Sequence, residues 1–498
     1  MSDWANPILV KETRQALKSR QFVLTFMLLL AASWLMSLFG MLLGGASIEF
    51  GSVGTEFFLW YFNILALAVL VIIPFGCYRS LLAEREQTTF ELLSITALSP
   101  RQVIWGKLLS AGLQLFIFYS AIAPFIAFTS LLQGFDLLQV MFVLVAGMLV
   151  SLLACMGALM LSALVKQGVW QALVSLTVLG GLLSLFGMTI TLTWDMDSWF
   201  TPRDVEFWWA IGALTAVGGS YFLLFQQIAI AQMTFESDNR STGVRLVCAM
   251  QFVLFWVWMF VTPVFAGWTP GPGDVQEMVV VAVTVSTVHW AVVGLFMVTE
   301  PDHLSRRICQ RLPKSVLLRL LFSPLLPGGA RGYLFLLMNT ACLAAAALGF
   351  SEYWAGDLWE AGLYTCGAAG YLVADLGVAC ALGRWCSALS HEIRPGHVRV
   401  LALILFAIGC IAPYVPLLFG ADYGGAYSPW MITNPFATLA HLSESRVNSE
   451  FVVTTLGVLA AGVLLLNLLA IFRGLREVAF ANVRSSRSGG ADAASSTG

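Results

Sequence analysis

The chain has 498 residues, of which 59% are hydrophobic and only 11% charged. Soluble domains carry about 25% charged residues, so this composition excludes a water-soluble globular protein. The net charge of −2 and the lack of a long basic run give no footprint for nucleic acid. The nine cysteines (Cys77, Cys155, Cys248, Cys309, Cys342, Cys366, Cys380, Cys386 and Cys410) fall in apolar blocks or in loops expected in the cytoplasm. No disulfide framework and no CxxC metal motif is expected from them.

Residues 1–21 precede the first apolar run and read as an amphipathic helix on the membrane surface. Asn6 can cap it, and Pro7 suits its first turn. Lys11, Arg14, Lys18 and Arg20 favour an anionic leaflet. The run that follows is too long for a signal-peptide core and reads as a retained span. Apolar blocks of about 20 residues cross a bilayer as helices. They place spans at 22–45, 56–77, 108–132, 138–165, 168–192 and 207–232. A second set of six lies at 246–266, 276–299, 332–350, 361–383, 400–420 and 451–472. The predicted fold is therefore all-α and polytopic, with twelve transmembrane helices.

Charge sets the orientation. With the N-terminus inside, every basic residue except Arg203 and Arg446 falls on the inner side. Both termini are then cytoplasmic, and the Ser/Gly/Ala-rich tail 481–498 reads as disordered. Each half places its long cytoplasmic loop after its second span, at 78–107 and 300–331. Each places its largest outer loop before its sixth, at 193–206 and 421–450. That spacing suggests a repeat in one orientation. Its sequence trace is faint: Leu98-Ser99-Pro100 against Phe322-Ser323-Pro324, and Gly106-Lys107 against Arg331-Gly332.

The loop 78–107 is the most informative stretch. Thr88 and Glu91 fit a capping box, from which a short helix would show Phe90 and Leu93. Ser99-Pro100-Arg101-Gln102 fits a second box that launches the third span. A helix showing apolar groups in a charged loop needs a partner surface.

The opening Asn-Pro-Ile-Leu-Val-Lys-Glu, a first span, and the loop from Glu84-Arg85-Glu86-Gln87-Thr88-Thr89-Phe90-Glu91-Leu92-Leu93 to Gly106-Lys107 resemble ABC-2-type transporter permeases. The resemblance covers roughly residues 3–240. It implies that the opening is an interface helix carrying Asn6, Pro7, Lys11 and Glu12. It implies that residues 84–95 form a coupling helix seated in a separate ATP-binding subunit, with Glu84, Glu86, Thr88, Phe90, Glu91 and Leu93 at the contact. It also places a re-entrant outer segment near Trp194–Glu206, and the protein in the cell inner membrane.

On this reading residues 22–240 form the permease domain, and 241–480 form a second six-span domain that departs from the family. The expected function is a permease subunit of an ABC-type exporter, with membrane lipids around it and a homodimer as the working form. No GxxxxGK[ST] motif is present, so ATP energy would come from the partner. No catalytic residue and no cofactor is expected. The alternatives are a twelve-span secondary active transporter, whose usual Gly-x-x-x-Asp-Arg loop is missing here, and a membrane-embedded enzyme.

Two polar residues sit in mid-span. Asp375 lies in a small-residue helix and is expected to face the bundle interior, as a substrate or ion contact or as a carboxyl hydrogen-bonded between helices. His289 carries the same two readings. The run His391-Glu392 to His397 is no metalloprotease site, because its histidines are not four apart on one helix. The orientation has a direct test. A reactive cysteine placed at Ser315 is expected to label only from the cytosolic side; labelling only from outside reverses the topology.

Overall fold

The computed structural model describes residues 7–44, 53–86, 99–132, 136–165, 169–235, 237–265, 267–302, 304–356, 358–390, 392–419, 427–444 and 448–481. Among them, the chain has twelve helices long and apolar enough to cross a membrane, one for each span expected. It is an all-α polytopic membrane protein. The helices divide into two compact units, Met1–Thr234 and Phe235–Gly498.

The first unit begins with α1 (Pro7–Leu17), a short amphipathic helix, followed by the first span α2 (Arg20–Gly44). The Ser19 hydroxyl accepts from the Phe22 amide at 3.1 Å and so caps the start of α2. The second span is one long, mostly buried run. It comprises α3 (Val53–Ala66), a π-helical stretch (Leu67–Ile72) and α4 (Ile73–Glu86). Pro74 stands just past the wide stretch. Its ring cannot donate to the preceding turn and crowds the carbonyl four residues back; a widened turn absorbs that conflict. The buried Ser151 hydroxyl donates to the carbonyl of Val69 inside the stretch.

The third span, α5 (Pro100–Thr129), starts where the sequence places it. The Gln102 amide donates to the Ser99 hydroxyl at 3.3 Å. The Gln102 side-chain oxygen accepts from the Ser99 amide at 2.8 Å, completing the box. Then come α6 (Leu137–Leu164), α7 (Val169–Trp194), the single turn α8 (Met196–Trp199) and α9 (Val205–Met233).

The second unit holds the spans α10 (Thr242–Phe265) and α11 (Pro272–Val298). Two short helices, α12 (Arg306–Arg311) and α13 (Val316–Phe322), fill the loop after them. The spans α14 (Gly329–Ala355), α15 (Trp359–Leu389) and α16 (Pro395–Ile411) follow. The segment before the last span contains α17 (Pro435–Ser443), and the last span is α18 (Ser449–Ala479).

Each unit uses the same neighbour scheme. In the first, span two packs on three and four, four on five and six, three on four and six, and span one on two and three. In the second, span eight packs on nine and ten, ten on eleven and twelve, nine on ten and twelve, and span seven on eight and nine. This is the pattern that a repeat in one orientation would leave. Span five also lies along span two.

The faint sequence match slips by one residue, Ser99 against Ser323 but Gly106-Lys107 against Arg331-Gly332, and the local structure differs too. Pro100 opens α5 at once, whereas Ser323–Leu325 form one 3-10 turn. Pro327 and Gly328 then delay the next span to Gly329, and Gly328 takes φ +133°, which L side chains rarely adopt.

The start of α14 runs against the end of α11 at backbone distance. A Cβ on Gly329 would stand 2.5 Å from the Val298 carbonyl oxygen and 2.9 Å from that of Glu300. Gly329→Ala is therefore expected to cost about 1–3 kcal/mol, seen as a lower thermal midpoint in detergent. Gly349→Ala, whose nearest neighbour is 3.9 Å away, is expected to change it little.

Candidate functional site

The charged residues singled out at the opening and in the loop meet at the basic end of the first unit. The helix α1 packs along the start of α5 and buries Ile8 in the unit's core. That contact fixes the face of α1 and turns Glu12 inward. Glu84 arrives from the end of α4, and Lys107 projects from α5 two turns after its cap.

Lys107 is almost fully buried, with 2% of its side chain exposed. Its ammonium lies 3.2 Å from Glu12 Oε1 and 3.2 Å from Glu84 Oε2. It donates to the Ser80 hydroxyl, also at 3.2 Å. An ammonium has three N–H groups, and three oxygens surround this one. Lys11, on the open side, reaches Glu84 Oε1 at 3.4 Å. Two lysines and two glutamates thus cancel, which a buried cluster requires.

The arrangement ties three elements at one point: the surface helix, the exit of span two and the entry of span three. It also holds the end of α4 that leads into the loop, through Glu84, while the start of α5 is set separately by the local Ser99 box. Of the other residues expected in the interface helix or at the contact, Asn6, Thr88, Phe90, Glu91 and Leu93 lie outside the described residues. Pro7 opens α1 and Glu86 closes α4, but their side chains are not among those described.

Sequence reasoning used Lys107 only to mark the start of a span and passed over Ser80. The signal was present. Lys107 stands inside the apolar run Val103-Ile104-Trp105-Gly106-Lys107-Leu108-Leu109, and a lysine there is almost never buried unpaired.

The second unit solves the same problem differently. Arg331, at the equivalent entry, is 2% exposed and pairs with Glu477 Oε2 at 3.2 Å. Its Nε donates to the Pro327 carbonyl at 2.7 Å. Arg245 is fully buried, pairs with Glu300 Oε2 at 2.6 Å, and donates to the carbonyls of Pro324, Leu326 and Gly328. Glu300 also accepts from the Gly328 amide at 3.0 Å and the Ser241 hydroxyl at 2.8 Å. Arg319 donates to the carbonyls of Pro313, Lys314 and Ala479. The loop 300–331 is thus fastened along much of its length by arginine bonds to its own backbone.

The expected re-entrant segment near Trp194–Glu206 takes another form. It is the single turn α8, set in an aromatic cluster of Phe142, Trp199, Phe200 and Phe207. The ring N–H of Trp199 donates to the Leu192 carbonyl at 2.9 Å, which closes the segment too tightly for a returning helix. The longer helix in the equivalent place, before the last span, is in the second unit. There α17, capped by Asn434 on the amides of Phe436 and Ala437, packs back on α15, with Leu442 against Gly367.

Asp375, expected to face the bundle interior, is accessible to solvent in its unit. The small face of α15 is instead turned to its neighbours, Gly370 against Leu456 of α18 and Gly377 against Tyr333 and Val463. His289 is half-buried beside Trp290, ring centroids 5.1 Å apart. Nothing brings these two residues together. Among the described residues no group of three His, Cys, Asp or Glu could hold a metal ion.

No family model, no curated protein and no solved structure matches the chain.

Lys107→Met leaves two carboxylates facing each other at a point that is mostly closed to water. A stability loss of about 3–5 kcal/mol is expected, with faster tryptic cleavage within α1. Adding Glu84→Gln to that variant is expected to recover part of the loss. An unchanged melting curve for the single variant would remove the cluster's structural role.

Proposed function

We propose that the chain is the permease subunit of an ABC-type exporter of the ABC-2 kind. It sits in the cell inner membrane with its basic ends in the cytosol, and a separate ATP-binding subunit drives it through the loop 78–107. The observation that carries this reading is the Lys107 cluster. A push on the loop is delivered at Glu84 and Ser99, and so reaches spans two and three together. Through Glu12 it reaches the surface helix as well, so the three shift as one body. A loose loop on independently solvated ends would absorb the same push.

The loop 300–331 occupies the corresponding place in the second unit, but its arginines already hold its backbone. One dock per chain is then left, and an ATPase dimer needs two. A working dimer of this chain meets that need.

Phe90→Asp and Leu93→Asp test the dock. A charge forced into an apolar contact costs about 3–5 kcal/mol, or roughly a hundredfold or more in affinity. Each variant is expected to reach the membrane but no longer to co-purify with the ATP-binding subunit, while the wild-type complex has the mass of two copies of each chain. Variants that retain the subunit and stimulate its ATPase normally would overturn the assignment.

A further inference from the structure

The helix α13 has a composition that water does not tolerate. Val316, Leu317, Leu318, Leu320, Leu321 and Phe322 are all exposed, Leu317 at 76% and Leu321 at 66%. The remaining side chain, Arg319, turns inward and is spent on three carbonyls. The helix therefore shows apolar groups around most of its circumference and has no solvated polar face. Exposed patches of this kind mark an interaction surface.

Two features of the second unit say what covers it. First, Arg319 bonds the Ala479 carbonyl at 3.1 Å, which seats α13 beside the end of α18. The outward face of α18 is a continuous apolar belt, including Leu465, Leu466, Leu469 and Phe472, and it ends in exposed Arg473 and Arg476. At 1.5 Å per residue, Ala479 lies roughly 10 Å beyond Phe472. That is where the acyl region gives way to headgroups. Second, the stretch leading into α13 carries Arg306, Arg307, Arg311 and Lys314, all exposed. Arg307 shares its charge with Asp238 at 3.6 Å.

We infer that α13 is an interfacial anchor, its leucines sunk into the bilayer at the basic end of the second unit and its flanking cations on the headgroups of anionic phospholipid. The apolar groups supply depth, and the cations supply lipid selectivity, because basic residues near a membrane surface are attracted by acidic headgroups. The fastened loop fits this role. An anchor that pulls on lipid has to be held firmly to the spans, and Arg245, Arg319 and Arg331 hold it. This reading stands apart from the docking of an ATP-binding subunit on the first unit.

The test uses the full chain in cell membranes, with photoreactive benzoylphenylalanine in place of Leu317 or Leu321, and in place of Leu466 as a lipid-facing control. Irradiation at 317 and 321 is expected to give phospholipid adducts by mass, as at 466. Adducts to another polypeptide, whether a partner or a second copy, or no adduct at either position, would overturn the proposal. In a second arm, the chain is purified from mixed phosphatidylcholine–phosphatidylglycerol nanodiscs and its retained lipid weighed by native mass spectrometry. The variant Arg306→Gln, Arg307→Gln, Arg311→Gln and Lys314→Gln is expected to lose about tenfold of its enrichment in phosphatidylglycerol. All four side chains are exposed, and the ion pair lost, Arg307 with Asp238, is a surface one of small worth, so the fold is expected to hold. Retained enrichment would show that the cations do not read headgroup charge.

Discussion

A charge carried out of water at the end of a membrane span must meet its partners there, and much of the architecture at the basic ends follows from that. Lys107, Arg245 and Arg331 are each 3% exposed or less. A buried cation left unpaired is strongly destabilising. Each one therefore dictates where a second and a third element must lie. Lys107 calls in α1 and the end of α4. Arg245 calls in the end of α11 and the loop that follows, and Arg331 calls in the end of α18.

The two units meet this constraint with different partners, and the difference has mechanical content. Lys107 is satisfied almost entirely by side chains, which can move with their helices. Arg245 and Arg319 are satisfied chiefly by backbone carbonyls, which fixes the path of the chain itself. Among the described residues, the first loop is held where it leaves α4 and enters α5, and the second along much of its length.

The spans were legible because an apolar block of sufficient length has little alternative in a membrane. The start of α5 was legible because Ser99, Pro100 and Gln102 satisfy local rules that need no tertiary information. What escaped depends on contacts distant in sequence. Glu12 and Lys107 are 95 residues apart (107 − 12), and no periodicity joins them. The rotation of α15 was not legible either, because it is set by close packing of Gly370 on α18 and of Gly377 on α14 and α18. The π-helical stretch was hidden too. Pro74 announces a disturbed turn, but only the nearby Ser151 hydroxyl shows how the disturbance is settled.

The burial of Lys107 has a consequence for how the first unit responds to its medium. Mobile ions screen charges that they can surround, over about 8 Å at physiological ionic strength. Lys11, 60% exposed, is open to them, and Lys107, 2% exposed, is not. Rising salt would therefore loosen the outer lysine from Glu84 and leave the inner one in place. The grip of the surface helix on span three is built to be indifferent to the ionic composition of the compartment that bathes it.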